Sequence, residues 1–187
     1  MSSGDQDKDL SARIAAKEHE AMQALVARHN VRVFRFLMGR MRNEAHAEEL
    51  TNEVFLEVWK HAGRYEGRSA VSTWVLAIAH NMAMSQVRKR KEDELEDGAA
   101  EQLADDSDDP EVSAQKRSKA EIMREVIDRL SDEHREVIDL VYYHEKSVRE
   151  VSEIVGIPEA TVKTRMHYAR KSLGEMMKEA GIDRGWP

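Results

Sequence analysis

The chain of 187 residues has no cysteine, three prolines, nine glycines and few aromatics (5%). Without thiols there is no disulfide scaffold and no thiolate zinc site, and a reducing, cytoplasmic setting is expected. No apolar run approaches the roughly 18–20 residues of a membrane-spanning helix. The polar start MSSGDQDKDLSAR lacks a signal-peptide core, so no membrane insertion is expected. With so few helix breakers and few alternating β-branched runs, the sequence reads as all-α. Catalytic patterns are also missing. There is no phosphate-binding glycine loop, and His19, His29, His46, His61, His80, His134, His144 and His167 include no pair three or four apart. His144-Glu145 does not continue into a zinc-binding H-E-x-x-H, because position 148 is Val. Neither an enzyme, a metal nor a cofactor is implied, and the ten methionines read as core filler.

What the chain does have is charge, unevenly spread. Acids outnumber bases 36 to 29, for a net −7. Residues 92–111 (EDELEDGAAEQLADDSDDPE) hold 11 acids and no base, leaving 25 acids against 29 bases, a net +4, elsewhere. Such segregation predicts an acidic linker between two neutral-to-basic bodies. The linker has only Leu95 and Leu103 as large apolar residues before Pro110. It buries too little to offset chain ordering and is expected to be flexible.

Helical periodicity fills the rest. Over residues 16–41 the apolar residues Met22, Leu25, Val26, Val33, Phe34, Leu37 and Met38 recur at helical spacing. Over 47–62, Leu50, Val54 and Val58 form a row with Phe55 and Trp59 beside it. The segment 63–69 (GRYEGRS) breaks the period and reads as a loop. A third helix over 72–91 turns Trp74, Val75, Ile78, Met82 and Val87 inward and ends on Arg88-Lys89-Arg90-Lys91. After the linker come Ile122, Val126, Ile127 and Leu130. Ser131 then reads as the N-cap of a helix burying Val137, Ile138, Leu140 and Val141 and ending near 142–145.

The strongest local signal follows. Ser147-Val148-Arg149-Glu150 is a capping box opening a short helix with Val148, Val151, Ile154 and Val155 inward. Gly156-Ile157-Pro158 makes a tight turn, with Pro158 expected in the first turn of the next helix. That helix, over 159–177, keeps Val162, Met166, Ala169 and Leu173 on one side. This is a helix-turn-helix pattern. The opposite face presents Ala160, Lys163, Thr164, His167 and Lys171, flanked by Thr161, Arg165 and Arg170. A recognition helix enters the major groove by its N-terminal residues, so Ala160, Lys163, Thr164 and His167 are expected at base edges. Arg165, Arg170 and Lys171 suit phosphates. A solvated basic face on an ordinary helix hairpin is the bland alternative.

Residues 132–173 (DEHREVIDLVYYHEKSVREVSEIVGIPEATVKTRMHYARKSL) resemble region 4 of the extracytoplasmic-function sigma factors of bacterial RNA polymerase. Residues 47–91 (AEELTNEVFLEVWKHAGRYEGRSAVSTWVLAIAHNMAMSQVRKRK) resemble their region 2, in the family's order. The resemblance implies binding to core RNA polymerase, through the β′ clamp helices and the β flap, and to promoter DNA. It also implies control by an anti-sigma factor that wedges between the regions. Core binding would fall on Glu48, Glu49, Asn52 and Glu53. Opening of the −10 element would fall on Arg64, Tyr65 and Arg68 of the loop and Asn81, Ser85 and Arg88 of the next helix. Trp74 reads as core first and DNA-facing second. The −35 element would meet the basic face of the last helix. The sequence departs from the family's usual pattern at His80 and Ser85, where Arg and Asp are common. It departs again at His144-Glu145-Lys146, which replaces a Gly-containing turn.

The expected organisation is a disordered segment 1–15, region 2 over 16–91, linker 92–117, region 4 over 118–180 and a tail 181–187. The rival readings are a stand-alone helix-turn-helix regulator and a sigma mimic that decoys an anti-sigma factor.

Overall fold

A computed structural model of the protein describes residues 3–96 and 119–181. The helices are α1 (Ser3–Ala15), α2 (His19–Met41), α3 (Glu44–His61), α4 (Val71–Glu96), α5 (Lys119–Asp128), α6 (Asp132–Ile138), α7 (Val148–Val155) and α8 (Glu159–Glu179), with no strand among the described residues.

Helix α2 packs on both α3 and α4, because aliphatic residues recur three and four apart on each. Leu25, Val33, Phe36 and Leu37 of α2 meet Leu50, Val54 and Val58 of α3 in one buried cluster. Val71, Val75, Leu76, Ala79 and Ala83 complete it from α4. The Asn43 side chain caps α3 by accepting from the His46 amide at 3.0 Å. Of the predicted inward residues, Leu25, Val33, Leu37, Leu50, Val54, Val58 and Val75 are buried, while Met22, Val26, Phe34, Met38, Trp59, Trp74, Ile78 and Met82 are half-buried at its edge.

Two expectations are corrected here. The segment 1–15, expected to be disordered, forms α1 instead. Its polar composition hides Leu10 and Ile14, one turn apart and both buried. Asp7 is also buried and pairs with Arg28 at 2.8 Å and His29 at 2.9 Å on α2. Helix α1 thus docks on α2, and it touches the 3-10 turn Ala62–Arg64 within the predicted loop. The second correction concerns α4, which continues through Glu96, so the first five residues of the expected linker, four of them acidic, are helical. The rest of the linker, 97–117, and the tail beyond Gly181 lie outside the described residues.

In the second half, Ser131 caps α6, its hydroxyl accepting from the His134 amide at 3.4 Å. The helix widens into a π turn at Asp139–Tyr143, which spends an extra residue and leaves Tyr142 and Tyr143 exposed and His144 buried. Glu145 then takes a left-handed conformation (φ 54°). The capping box is complete: the Glu150 amide donates to Ser147 Oγ at 3.3 Å and the Ser147 amide to Glu150 Oε2 at 3.0 Å. Gly156 is left-handed (φ 72°) and ends α7, a conformation that favours glycine. Pro158 sits at the N-cap of α8 rather than in its first turn, and its carbonyl accepts from Thr161 at 2.9 Å. Val162, Met166, Ala169 and Leu173 are buried as the period predicts; Val148 and Val155 are half-buried. Helix α8 packs on α5, α6 and α7, and α7 lies against α4, joining the two halves.

Candidate functional site

On α8, burial of the Val162–Met166–Ala169–Leu173 row leaves the other side to solvent. Ala160, Lys163, Thr164, His167, Arg170 and Lys171 are exposed, and Thr161 and Arg165 are half-buried. Local chemistry already sorts them. Thr164 Oγ1 donates back to the Ala160 carbonyl at 3.0 Å. The Arg165 guanidinium pairs with Glu133 at 3.0 Å, which orients it and partly neutralises it. Arg170 donates to the Tyr142 hydroxyl at 2.9 Å and lies over that ring, 5.8 Å from its centroid. Lys163 and Lys171 make no ion pair among the described residues. The face therefore offers two unneutralised ammonium groups and two guanidinium groups held in place. Tyr168, an exposed aromatic in edge contact with His167 (5.4 Å), stands beside them. The sequence reading omitted it, although an exposed ring next to a basic row was there to be found.

The second constellation lies at the start of α4. Arg64 and Arg68 are exposed in the loop, and Asn81, Ser85 and Arg88 are exposed along one side of α4 at a spacing of four and three. Tyr65 packs back onto its own loop. It is half-buried, its hydroxyl donates to the Ser69 carbonyl at 2.5 Å, and its ring rests 5.2 Å from Trp74. Burial pushes its phenol above the usual range. Tyr65 and Trp74 thus form a wall that shapes the loop, with the arginines outside it. Arg68 is paired with Glu66 at 2.6 Å and Arg88 reaches Glu92 at 4.0 Å.

On α3, Glu48, Glu49 and Asn52 are exposed and Glu53 is half-buried. Asn52 sits between two open grooves. One, of about 350 Å³, also holds Glu48, Glu44, Val31 and Phe34. The other, of about 670 Å³, is mostly apolar, with Met22, Val26, Phe55, Leu56 and Trp59. Leu56 and Val31 are 57% and 58% exposed. The sequence reading named only the polar residues here. It placed Met22, Val26, Phe55 and Trp59 in the inward rows of α2 and α3 and left Leu56 without a role. His19 stacks on Trp59 at 4.9 Å and Lys17 lies 5.0 Å from the same ring, which fixes one end of the groove. No cluster of three or more metal-ligating side chains occurs among the described residues.

An all-helical protein with a capped helix-turn-helix at one end and a grooved three-helix packing at the other has the form of a transcription initiation subunit. A model described as Sigma-70 region 2 matches residues 25–92, and one described as Sigma-70, region 4 matches 126–175. The extracytoplasmic-function sigma factor SigL of Mycobacterium tuberculosis is 30% identical over 176 residues, 91% of this chain and 96% of that one. SigK of Mycobacterium sp. (strain KMS) is 32% identical over 173 residues, 88% and 86% of the two chains. SigW of Bacillus subtilis is 26% identical over 171 residues, 87% and 91%. The fold resembles the sigma factor RpoE crystallised with the anti-sigma factor NepR from Bartonella quintana (TM-score 0.69, 23% identity, 87% of this chain and 98% of that one). It also resembles CnrH in complex with the cytosolic domain of CnrY (TM-score 0.67, 20% identity, 93% and 98%). The chain belongs to the extracytoplasmic-function sigma factors of bacterial RNA polymerase. It is a sigma factor for promoter-specific transcription initiation, and the stand-alone regulator and decoy readings are not favoured. The region 2 match runs from within α2 into α4, and the region 4 match from the end of α5 into α8; α2–α4 and α5–α8 are called region 2 and region 4 below.

Proposed function

We propose that this sigma factor divides its work among three surfaces, and that it works in the cytoplasm as a non-catalytic subunit of the polymerase. The α3 face with Glu48, Glu49, Asn52 and Glu53, together with the apolar groove of Phe55, Leu56 and Trp59, binds core polymerase. A charged rim around an apolar anchor suits a partner helix: the groove supplies affinity, and the carboxylates supply register and on-rate. Arg64 and Arg68, with Asn81, Ser85 and Arg88 of α4, hold the opened −10 strand, while Tyr65 braces the loop. The α8 face reads the −35 element, with Ala160, Lys163, Thr164 and His167 toward base edges and Arg165, Arg170 and Lys171 toward phosphates; Thr161 fixes the entry of the helix. An anti-sigma factor, like those bound to the two structural relatives, controls access to these surfaces.

The single observation that supports this most is the unneutralised Lys163 and Lys171 on an exposed helix whose other face is fully committed to the core. The test uses two double variants and reconstituted core polymerase. Glu48→Arg with Asn52→Ala should weaken core binding ~10-fold or more while leaving DNA contacts of the holoenzyme alone. Lys163→Ala with Arg165→Ala should keep core binding and cut promoter-specific transcription ~10-fold or more. Core binding unchanged by the first pair, or transcription unchanged by the second, overturns the assignment.

A further inference from the structure

Helix α1 lies outside the region 2 match, which begins at residue 25, yet more than apolar burial ties it to region 2. Leu10, Ser11 and Ile14 fall three, four and seven positions after Asp7, one stripe of a helix, and all four are buried. Two of the four are polar. Asp7 is 5% exposed and is held from α2 at both oxygens: Arg28 Nη1 approaches Oδ1 at 2.8 Å and His29 Nε2 approaches Oδ2 at 2.9 Å. The same guanidinium donates from Nη2 to Gln6 Oε1 at 2.6 Å. Burial pushes the His29 imidazole below its usual range against the pull of Asp7. A carboxylate only accepts, so Nε2 of the neutral ring carries the shared hydrogen.

A buried carboxylate is an expensive means of docking a helix, and leucine in its place would hold α1 at least as well. What the polar group adds is register. Leucine and isoleucine tolerate a slip or a small rotation, whereas Asp7 meets both of its donors at one rotation and one height of α1. In that register α1 packs on the 3-10 turn Ala62–Arg64 and on the start of α4.

That turn is the root of the loop that carries Arg64 and Tyr65. Ala62 is buried, and its carbonyl accepts from the Tyr65 amide at 3.1 Å. The Tyr65 phenol is raised first by burial and then by the Asp7 carboxylate, so the charge on α1 is felt at the loop. The corner between α1 and α2 reaches the same place. Lys17, left-handed at φ 66°, donates to the Trp59 carbonyl at 3.0 Å, three residues before Ala62. The loop thus has two supports: Trp74 and the Ser69 carbonyl hold Tyr65 from one side, and α1 holds the root from the other. A loop that had to order while capturing an unpaired strand would add its ordering cost to the barrier for opening.

We infer that α1 is a brace for strand opening, and that Asp7, Arg28 and His29 are positioning residues that set its register and thereby place Arg64 and Tyr65. The three act through the loop and not on DNA themselves. The inference rests on the proposed −10 role of that loop.

The test separates opening from binding in holoenzyme made with the full chain, on a promoter that the holoenzyme uses. A fluorescent base analogue in the −10 element reports the opening rate at saturating holoenzyme. Asp7→Asn keeps the shape and removes the charge, and should slow opening ~10-fold or more with core affinity unchanged. A template already unpaired over the −10 element should return initiation to the parent level, which a general loss of stability would not allow. His29→Leu should also slow opening. His29→Gln, whose amide nitrogen can replace Nε2 as donor, should open close to the parent rate. In the free protein, amides of 62–69 should exchange faster in Asp7→Asn and His29→Leu, and those of α8 should not.

Parent opening rates in both Asp7→Asn and His29→Leu overturn the brace. Slow opening that the unpaired template does not restore overturns it too, as does core affinity falling in step with opening in both variants. If Asp7→Asn does not fold, the His29 pair decides, and equal rates in His29→Leu and His29→Gln overturn the brace. Arg64→Ala with Arg68→Ala tests the reading beneath it. Slow opening in that pair beside normal opening in the α1 variants refutes the brace and leaves the −10 assignment intact. Normal opening in the arginine pair beside slow opening in the α1 variants refutes the arginines' role and supports a brace acting through Tyr65.

Discussion

Region 2 and region 4 solve the same packing problem with different means. Region 2 has helices of 18 to 26 residues and a continuous aliphatic core, so its stability is spread over many burial contacts. Region 4 has α6 and α7 at seven and eight residues, below the length at which a helix holds itself in water. It relies on Ser131, the Ser147–Glu150 box and the Gly156 turn to satisfy helix ends. What the difference teaches is where each region tolerates change: region 2 at its surface, region 4 hardly anywhere except the outer side of α8.

The largest effects should come from the cores. Leu50→Ala in region 2 and Leu173→Ala in region 4 each remove a fully buried side chain and should cost ~2–5 kcal/mol. Chemical denaturation followed by helical signal should show the Leu173 variant losing region 4 first. Equal, single transitions for both variants would break the comparison.

Next comes the DNA face, where stability and function separate. Lys163→Ala with Lys171→Ala touches no core residue, so the melting curve should stay within ~0.5 kcal/mol of the parent. The salt dependence of holoenzyme–promoter binding should flatten by ~2 in log–log slope if both ammonium groups meet phosphates. A flattening without loss at mutated −35 sequences would make Lys163 a phosphate contact and not a base reader.

The caps are smaller in effect. Ser147→Ala should cost ~1 kcal/mol, seen as lowered protection of α7 amides from hydrogen exchange. The same box gives a pH dependence. Burial raises the Glu150 carboxyl, but donors from the Ser147 backbone and hydroxyl, Thr73 and Lys146 overcome it and hold it at about 2, against an ordinary 4.5. A carboxyl depressed on folding stabilises fully above its unfolded value and progressively less as pH falls toward the folded one. Region 4 should therefore lose stability between about pH 4.5 and 2, and Glu150→Gln should flatten that part of the profile. The smallest change is a gain: Glu145→Gly relieves the left-handed backbone and should add up to ~1 kcal/mol.

Local signals account for what could be read in the sequence. The α7–turn–α8 unit was legible because a capping box, a glycine, a proline and a 3.6-residue period fall within thirty residues and agree. The exposed side of α8 followed from its buried side. Helix α1 was missed because its composition is polar, and two residues, Leu10 and Ile14, with the Asp7 pair supply its anchorage. The contacts of Glu136 with His80, of Lys146 with Thr73 and of Thr73 with Glu150 were invisible for another reason. They cross 56 to 77 positions, and no periodicity encodes such pairings. Glu150 shows both cases at once: its capping role follows from its spacing to Ser147, and its bond to Thr73 only from the fold. Tyr65 was expected among the residues that open the −10 element, and its packing on Trp74 follows only from the fold of the loop.

The most direct test of the account is initiation itself. Core polymerase, this protein and a pool of genomic fragments are combined, and the transcripts are sequenced from their 5′ ends. The account predicts start sites that core alone does not use, preceded by two shared elements at fixed spacing, with Lys163→Ala and Arg165→Ala weakening the response to the upstream element only. Start sites identical to those of core alone, or a set with no shared upstream element, would contradict it.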